Sequence, residues 1–346
     1  MGKIFVLGAF GYSNNQLDGQ TIKTRNVYEL IKERRGGIVK RFDTLDVRKK
    51  PWRVFLLLYH LITCRTLVLL PCLNNITYVF PAVFILSKLF RYEIVSICIG
   101  GWQVEYFQGN ETFRDHPLQL KYSKAIKAFL PEMMKVDSDL KKQLGFTNTE
   151  VFPNFRIFEL KKIAADSDAS IKLVYLARIN KKKGYPAIFE LAEILRADGI
   201  PFTVTFYGQI ADDDRDDFHE RLREHADYVT YGGALKPVDI QDTLSKYDLL
   251  LLPTQYYTEG FPGSILDAYI AGIPVIVTEW KHAHEFVKDG ETGFVVPFEN
   301  GLDEMVTKVK QLDNDRELLR QMKHRAQEEA RKYSEDAAWT VLKKYL

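Results

Sequence analysis

Cysteine is scarce in this sequence, and its few cysteines lack the spacing of a metal or redox site. The 346 residues include three cysteines, Cys64, Cys72 and Cys98, and none stands in a Cys-x-x-Cys pair. The pattern argues against a disulfide-stapled extracellular fold. All three lie in or near apolar runs, and we expect them to be buried, reduced thiols of a cytoplasmic protein.

The sequence also lacks a continuous apolar run long enough to cross a membrane. Its most apolar stretch, residues 66–90, is interrupted by Pro71, Asn74, Asn75 and Pro81, whereas a spanning helix needs about 20 continuous apolar residues. We expect a strand, a turn and a buried helix there, with an embedded or interfacial helix as the alternative. The first residues, MGKIFVLGAFGYSNN, lack the apolar core and cleavage site of a signal peptide and predict a strand and a glycine turn.

Charge is nearly balanced overall but is unevenly distributed. Residues 1–153 hold 22 Lys and Arg against 13 Asp and Glu, a net +9, and the remainder holds 26 against 33, a net −7, which together give +2. Much of the excess lies in residues 32–53. A basic first half indicates an anionic partner, such as phospholipid headgroups, a lipid pyrophosphate or nucleic acid, although no nucleic-acid motif supports the last. The alternative for residues 32–53 is a solvated helix end and loop.

A repeated order of apolar strand, turn and helix dominates the sequence, and no low-complexity tract or short repeat interrupts it. Helices are predicted at 21–35 and 76–89, among others. The predicted strands are residues 3–10, 38–44, 66–72, 92–100, 133–138, 150–154, 171–178, 202–208, 228–233, 248–254, 273–279 and 292–298. Such alternation predicts an α/β protein with parallel sheets and crossover helices.

The length predicts two domains. The first is expected at residues 1–155 and the second at residues 171–330, joined by a polar linker at 156–170. Residues 331–346 are expected to form a C-terminal helix that packs back on the first domain. Ligands of doubly wound sheets bind at the carboxyl ends of the strands.

The segment PTQYYTEGFPGSILDAYIAGIPVIVTEW, residues 253–280, has the features of an anion site. A buried strand ends at Thr254, and Glu259-Gly260-Phe261-Pro262 opens a helix that runs to Ala271, with Pro262 at its first position. The predicted free amides at the helix start belong to Gly263, Ser264 and Ile265, where the helix dipole favours a phosphate. Glu259 and Asp267, eight residues apart, suit pairs of sugar hydroxyls, and the combination predicts a nucleotide sugar.

This segment resembles the E-x7-E signature of the retaining glycosyltransferases of family 4, which have the GT-B fold of two Rossmann-like, doubly wound domains facing a central cleft. The resemblance implies that Glu259 binds the donor sugar and that Asp267, which replaces the family's second Glu, binds the nucleotide ribose. Taken without the resemblance, the segment is also compatible with an ordinary α/β unit that has a solvated capping acid.

Further matches follow in the order that the family shows. In YLARINKKKGY, residues 175–185, Arg178 and Lys183 are implied diphosphate ligands, suited by a guanidinium fork and a point charge. The other implied donor-binding positions are Gly208 at a strand end and Tyr231, Gly232 and Leu235 in the nucleobase region. The tail HEFVKDGETGFVV resembles the family's E-x4-G-x-x-G pattern through Glu285, Gly290 and Gly293, which we expect to be partly structural.

The first half matches the family mainly by its layout. Residues 8–24 resemble the N-terminal loop that approaches the donor phosphates, with Gly19 and Gln20 as candidates, and a plain turn is the alternative. Residues 99–106, IGGWQVEY, place Trp102 and Glu105 where many relatives have a His. These are the acceptor-side candidates, although Trp102 could equally cover the core.

By resemblance, the chain is a retaining glycosyltransferase (EC 2.4) in which Glu259, Arg178 and Lys183 serve catalysis. Its substrates are a UDP or GDP sugar and a saccharide or undecaprenyl-diphosphate-linked saccharide of a surface polysaccharide, handled in the cytoplasm or at the inner membrane face. We expect no metal and no cofactor, because residues 211–217, ADDDRDD, fit a solvated first helical turn better than an Asp-x-Asp site. The alternatives are an epimerase or sugar-phosphate synthase of the same fold and a non-catalytic partner subunit.

Overall fold

The computed structural model describes residues 2–14, 16, 18–48, 50–110, 112–163 and 170–346. Contacts between Cα atoms divide the chain into two compact units, the N-terminal unit, residues 1–157 with 333–346, and the C-terminal unit, residues 158–332. Residues 164–169 of the expected linker lie outside the described part. Within the described ranges, no helix combines the length and the apolar character that crossing a bilayer requires.

The N-terminal unit contains a five-stranded parallel sheet in the order β2-β1-β3-β4-β5. The strands are β1 (Ile4–Gly8), β2 (Val39–Asp43), β3 (Thr66–Leu70), β4 (Glu93–Ile97) and β5 (Ala128–Leu130). The helices are α1 (Gly19–Arg35), α2 (Arg53–Thr63), α3 (Phe80–Phe90), α4 (Gln103–Gln108), α5 (Pro117–Lys124) and α6 (Met134–Leu144). A π-helical turn, Asn75–Val79, leads into α3.

The C-terminal unit contains a six-stranded parallel sheet in the order β11-β10-β9-β6-β7-β8. Its strands are β6 (Ile171–Leu176), β7 (Phe202–Tyr207), β8 (Val229–Tyr231), β9 (Leu249–Leu252), β10 (Val275–Thr278) and β11 (Gly293–Val296). Its helices are α7 (Tyr185–Ala197), α8 (Arg215–Glu224), α9 (Ile240–Leu244), α10 (Gly263–Ala271), α11 (Ala283–Phe286), α12 (Leu302–Asn314) and α13 (Arg316–Ala330).

The last helix, α14 (Glu335–Leu342), packs on α1 within the N-terminal unit. Ala338 and Leu342 join the core that the strands form with Val27 and Leu30 of α1. At the surface, Arg34 donates to Glu335 and to Asp336, at 2.7 Å each. Apolar packing and these two salt bridges of Arg34 together hold the C-terminal residues on α1.

The predicted α/β class and most predicted strands are confirmed, and two predicted strands are wrong. Residues 133–138 belong to α6, because Val136 and Leu140 bury one face at helical spacing. Residues 150–154 form no strand, although Phe152 is buried and its amide donates to the Pro131 carbonyl. The strand at this edge of the sheet is β5, a three-residue segment that precedes α6.

Candidate active site

The direction of strand succession reverses between β6 and β9 in the C-terminal sheet. These strands are hydrogen-bonded neighbours, yet the chain proceeds from β6 towards β7 and β8 on one side and from β9 towards β10 and β11 on the other. The loops after β6 and β9 therefore lie at the reversal point of the carboxyl edge, the usual binding place in such sheets. Both of the strongest motifs in the sequence lie on these two loops.

Lys183 and Glu259, one from each loop, form a direct ion pair. Lys183 Nζ lies 2.5 Å from Glu259 Oε2, and both side chains are mostly buried. Thr254, just after β9, donates from Oγ1 to the same carboxylate oxygen at 3.5 Å. The ammonium group also lies 5.2 Å from the centre of the Tyr256 ring, within the range of a cation–π contact. A positive group and a hydroxyl thus orient one oxygen of the carboxylate.

Tyr175 holds the loop after β6 in place from within the core, a role that the sequence did not reveal. This fully buried residue of β6 donates its hydroxyl to the Arg178 carbonyl at 3.1 Å and to the Lys183 carbonyl at 3.4 Å. Burial, followed by the nearby Glu259 carboxylate, raises the pKa of the Tyr175 hydroxyl well above its usual value, so the group stays a neutral donor. The only signal in the sequence was a tyrosine near the end of a buried strand.

Gly184 allows the two loops to approach each other. Its φ is +82°, and a Cβ atom built there would lie 1.8 Å from the Pro253 carbonyl oxygen. The Gln255 amide then donates to the Lys182 carbonyl at 2.8 Å. The Lys-Gly pair of the motif therefore has two separate roles, a charge from Lys183 and an absent side chain at Gly184.

Arg178 follows β6 and is exposed, and among the described residues its guanidinium group makes no hydrogen bond or ion pair. Gly208 supports the backbone at this point. It has a φ of +142°, and an added Cβ would lie 1.8 Å from the Ala177 carbonyl oxygen. The absent side chain at Gly208 thus lets β7 approach the end of β6, which fixes where Arg178 leaves the sheet, while its role in donor binding stays a prediction.

The start of α10 lies on the loop that carries Glu259. Pro262 is the residue before the helix rather than its first residue, and no side chain caps the start. The prediction of three free amides is wrong for Ile265, because its amide donates to the Pro262 carbonyl at 3.1 Å and closes the first turn. The amides of Gly263 and Ser264, on partly exposed residues, remain at the uncapped helix start.

The other predicted residues of this loop are buried within the unit. Phe261 stacks on Phe286 with ring centres 4.1 Å apart, and Gly260 is buried next to it. Asp267 lies in the second turn of α10 and is almost fully buried. A carboxylate in such a place is held in one orientation by its surroundings.

The predicted nucleobase region follows β8. The Tyr231 hydroxyl donates to the Gly208 carbonyl at 2.8 Å, so this side chain braces the strand end instead of extending into solvent. A Cβ at Gly232 would lie 2.1 Å from the Tyr207 ring. Leu235 is half-buried on the loop beyond. That backbone groups of residues 232–235 contact a nucleobase stays a prediction.

The acidic residues 212–217 interact with the loop after β6. Asp214 accepts from the Lys181 amide at 3.2 Å, and Asp217 accepts from the Tyr185 hydroxyl at 2.5 Å and from Arg221 Nε at 3.1 Å. The Tyr185 hydrogen bond, ahead of Arg221 and Lys181, lowers the pKa of Asp217 below its usual value. These carboxylates begin α8 and fasten it to the Lys181–Lys183 turn.

Two buried polar rings after β10 were also missed. In the described structure, Trp280 Nε1 and both ring nitrogens of His282 have no hydrogen-bond partner, and His282 Nδ1 lies 3.5 Å from Glu285 Oε1. Buried groups of this kind are costly unless a ligand or water satisfies them. The Gly293 predicted in the same tail packs against the Val275 carbonyl in the sheet, which is a structural role.

In the N-terminal unit, Gly19 and Gln20 form the first turn of α1. Asp18 caps this helix by accepting from the Thr21 amide at 2.8 Å. The side-chain amide of Gln20 is buried, and its Nε2 has no partner among the described residues. Asn15 and Leu17, in the loop before the helix, lie outside the described residues.

Trp102 lies on the loop after β4, and Glu105 lies in the first turn of α4, which follows that loop. The Trp102 ring packs edge-on against Tyr106, with centres 5.4 Å apart, and it is only half-buried. Behind the loop, Glu132 accepts from the Gly100 amide at 3.0 Å and from Lys23 Nζ at 2.9 Å. Lys23 is fully buried. This buried pair, which sequence reasoning missed, fixes the position of the loop.

The sequence profile of the glycosyl transferases group 1 matches residues 157–329, half of the chain. The chain belongs to the glycosyl transferases group 1 family. Among curated relatives, WcaL of Salmonella typhimurium, whose name assigns it to colanic acid biosynthesis, is 26% identical over 169 residues, 46% of this chain and 40% of WcaL. CapM of Staphylococcus aureus, named as a capsular polysaccharide biosynthesis glycosyltransferase, is 24% identical over 171 residues, 49% of this chain and 43% of CapM.

A solved structure, HepE of Anabaena in complex with UDP, matches 99% of this chain and 99% of its own with a TM-score of 0.74 and 14% identity. Together with the two parallel-sheet units, this similarity shows that this group 1 family member has the GT-B fold, as predicted. The chain spans only about two-fifths of the length of the curated relatives that it matches, 40% of WcaL and 43% of CapM.

Proposed function

We propose that this protein transfers a sugar from a nucleotide-diphosphate sugar to a saccharide acceptor in surface polysaccharide biosynthesis. The observation that carries the proposal is the Lys183–Glu259 pair, 2.5 Å long, at the reversal point of the sheet. It joins a cation suited to phosphate and a carboxylate suited to hydroxyls in a single site beside an uncapped helix start. Membership of the glycosyl transferases group 1 family supports the same activity.

The diphosphate is proposed to bind to three sources of positive charge. The amides of Gly263 and Ser264 stand at the positive end of the α10 dipole. Lys183 has three N–H donors and can keep its bond to Glu259 while it contacts a phosphate oxygen. Arg178 is exposed and makes no side-chain hydrogen bond or ion pair with the described residues, and its guanidinium group supplies a bidentate fork.

The sugar and the ribose are proposed to bind to carboxylates. The contacts to Glu259 from Lys183 and Thr254 both go to Oε2, so Oε1 can accept from a hydroxyl of the donor sugar. Asp267, held in the second turn of α10, is the proposed ribose ligand. Ligand-free pairing with Lys183 keeps the Glu259 carboxylate in place before the donor arrives, which reduces the cost of ordering it.

The chemical step is proposed to proceed with retention at the anomeric carbon. The bond from this carbon to the diphosphate oxygen breaks, the acceptor oxygen bonds to the same face, and the acceptor proton passes to the departing diphosphate. Negative charge grows on the leaving group, and Lys183, Arg178 and the two amides stabilise it. Since one preorganised donor of this kind is worth about 3 kcal/mol, we propose that these groups carry the step without a metal ion.

The acceptor is proposed to be a saccharide, including one linked to undecaprenyl diphosphate, at the cytoplasmic face of a membrane. The net charge of +9 on residues 1–153 supports an anionic acceptor or surface near the N-terminal unit. The names of WcaL and CapM, which refer to colanic acid and capsular polysaccharide biosynthesis, support a polysaccharide product.

The first experiment is a thermal-stability screen of UDP and GDP sugars. A donor that binds the folded state at 100 times its Kd stabilises it by about 2.7 kcal/mol, and we expect one series to raise Tm clearly above the other. Arg178→Ala and Lys183→Ala should lose the shift, whereas the exposed Val238→Ser control should keep it. If no nucleotide sugar stabilises the protein, or if the two variants respond like the control, the proposed donor site is wrong.

Product analysis then distinguishes transfer from other chemistry of the same fold. Release of nucleoside diphosphate should require a saccharide acceptor, the product should have the donor's anomeric configuration by NMR, and EDTA should leave the rate largely intact. Turnover of the nucleotide sugar without a saccharide acceptor would instead indicate an epimerase or a sugar-phosphate synthase.

A further inference from the structure

Helix α2 of the N-terminal unit has its apolar face turned outward. Of its eleven residues only Leu61 is buried. Four apolar or aromatic residues that share one face of the helix are exposed: Trp52, Phe55, Tyr59 and Ile62. The exposed fraction of Phe55 is 77%. A surface helix of a globular protein normally turns such a stripe towards the core, so this arrangement leaves the stripe without a partner inside the unit.

Helix α3 and the π-helical turn before it continue the same feature. Tyr78, Ile85 and Leu89, again at helical spacing, are exposed, Tyr78 to 78% and Leu89 to 69%. The opposite side of this segment packs inward through Ile76, Phe80, Val83 and Phe84. The helix is thus apolar on both sides, and one of those sides faces solvent.

The two helices are neighbours on one face of the sheet. They contact each other. Helix α2 connects β2 to β3 and α3 connects β3 to β4, so both connections cross the sheet in the same direction. Right-handed crossovers place such connections on the same face. The outward stripes of α2 and α3 therefore form one surface, here called the α2–α3 surface and defined by Trp52, Phe55, Tyr59, Ile62, Tyr78, Ile85 and Leu89.

The segment that forms the α2–α3 surface carries charge of one sign, although Asp46, just before it, pairs with Arg53 of α2. Residues 47–92 contain no Asp or Glu and seven Lys or Arg. Among those described as exposed, Lys50 precedes α2, Arg65 follows it, and Lys88 and Arg91 lie at the end of α3. An apolar face with basic residues at its margins is typical of helices that lie in the interface of an anionic bilayer.

We propose that the α2–α3 surface docks this protein on an anionic lipid bilayer, with the apolar stripe in the headgroup region and the basic residues on lipid phosphates. A second copy of the chain fits this surface less well, because a symmetric contact would bring the same unbalanced cations against each other. Three members, Trp52, Tyr59 and Tyr78, have the aromatic, amphipathic rings that favour the headgroup level.

Docking stands on this surface alone and does not depend on sugar transfer. If the proposed function also holds, the protein would meet a lipid-linked saccharide acceptor at this bilayer. This link to the acceptor rests on the proposed function. The two ideas involve different units of the molecule, so their experiments can fail separately.

The main test is co-sedimentation of the full chain with vesicles of equal parts phosphatidylglycerol and phosphatidylcholine. The variant Phe55→Ser/Tyr78→Ser/Leu89→Ser should bind about 100-fold more weakly, since three largely apolar side chains lose their burial in the interface. Val238→Ser, at a residue 82% exposed in the C-terminal unit, is the matched control and should bind like the wild type.

A charge variant tests the second component. Arg65→Gln/Lys88→Gln should weaken binding at low salt by about tenfold or more, because each basic residue near the surface contributes about 1 kcal/mol. Lys141→Gln/Lys142→Gln removes the same number of exposed charges on α6, elsewhere in the N-terminal unit, and should have a much smaller effect. Equal losses in the two variants would overturn the assignment of the surface.

Trp52 provides a direct readout of insertion. Its emission should shift to the blue and be quenched by brominated lipids, and Trp52→Phe should remove that change while the other three tryptophans stay. A wild type that does not bind these vesicles, or an apolar triple variant that binds them normally, would contradict the proposal.

Self-association is measured on the same proteins by analytical ultracentrifugation. We expect the wild type and the apolar triple variant to sediment alike without lipid. A wild-type dimer that the triple variant dissociates would assign the surface to a second copy and overturn the membrane proposal. Arg178→Ala should keep vesicle binding, and the triple variant should keep its Tm shift with nucleotide sugar, which separates a failure of docking from a failure of the donor site.

Discussion

Helices α2 and α8 are similar in size and each contains a single buried residue, Leu61 in α2 and Phe218 in α8. Their outward faces differ completely. The exposed positions of α8 are charged, with Asp216 in the first turn and Arg223 in the last, whereas those of α2 are apolar. The charged face of α8 is well solvated by water, whereas the apolar face of α2 is costly to hydrate and indicates a binding partner.

The same contrast separates the two candidate regions for ligands. In the C-terminal unit, charged side chains from two loops meet in one place, as in the Lys183–Glu259 pair. In the N-terminal unit, the charged pair Lys23–Glu132 is fully buried and holds a loop. The charged pair thus joins two loops at the candidate site in one unit and supports the backbone of a loop in the other.

The largest expected difference is in stability. Phe218→Ala should lower the free energy of unfolding by about 3–5 kcal/mol, because a fully buried ring is removed from the contacts with Tyr185, Phe189 and Phe206. Phe55→Ala should change it by less than about 0.5 kcal/mol, because the ring faces solvent. Urea unfolding measures both. A large loss for Phe55→Ala would mean that α2 packs inward, against the comparison.

The next effect is on catalysis. Arg178→Ala, Lys183→Ala and Glu259→Ala should each lower kcat/KM by about 100-fold or more, because each removes a group proposed to stabilise or orient the transition state. Lys181→Ala, two residues from Lys183 and exposed, is the control and should remain close to the wild type. Initial rates at varied donor concentration measure this, and near-normal transfer by all three variants would remove the proposed site.

A smaller effect is expected where the loops touch. Gly184→Ala should destabilise the protein by about 2 kcal/mol more than Gly199→Ala. Both residues have a positive φ, but the new Cβ meets the Pro253 carbonyl at Gly184 and nothing within 4 Å at Gly199. Both variants lose stability because alanine disfavours a positive φ, so the difference between their Tm values measures the steric clash with the Pro253 carbonyl. Equal Tm values would show that the loops are not packed as described.

The smallest effect concerns pH. Because the Tyr185 hydrogen bond lowers the pKa of Asp217 below 3.8 in the folded state, this group contributes stability that is present above about pH 4 and is lost as the pH falls through the lowered pKa. Asp217→Asn should flatten this acid dependence. Asp213→Asn makes the same charge change at an exposed position and should not. Urea titrations between pH 3 and 6 compare them, and parallel curves would contradict the assignment.

The sequence indicated which loops of the C-terminal unit carry the candidate residues. Glu259 and Lys183 lie 76 residues apart, and each follows a buried strand and precedes a glycine turn or a helix, while the diphosphate role of Lys183 was implied by the family resemblance. The details that failed depend on local hydrogen bonds. Pro262 precedes α10 instead of beginning it, and the Ile265 amide is used in the first turn, which no pattern of residue types reveals.

The supporting residues could not be predicted for a different reason. Tyr175 looks like any buried strand residue, and only the folded loop brings the carbonyls of Arg178 and Lys183 within reach of its hydroxyl. Lys23 looked like one helical lysine among many, and its partner Glu132 lies 109 residues away. The segment 133–138 was mistaken for a strand because a short apolar run fits either period.

Periodicity and motif spacing were sufficient for the α/β class, for the parallel sheets and for the loops that carry Arg178, Lys183 and Glu259, because these depend on local patterns of burial and turn formation. Tertiary packing alone decided that Lys183 meets Glu259, that Gly184 lies against Pro253 and that the apolar residues of α2 face outward. Burial is set by which surfaces the rest of the fold covers. The sequence of an apolar helix therefore does not show whether the helix packs against the protein core or against a bilayer.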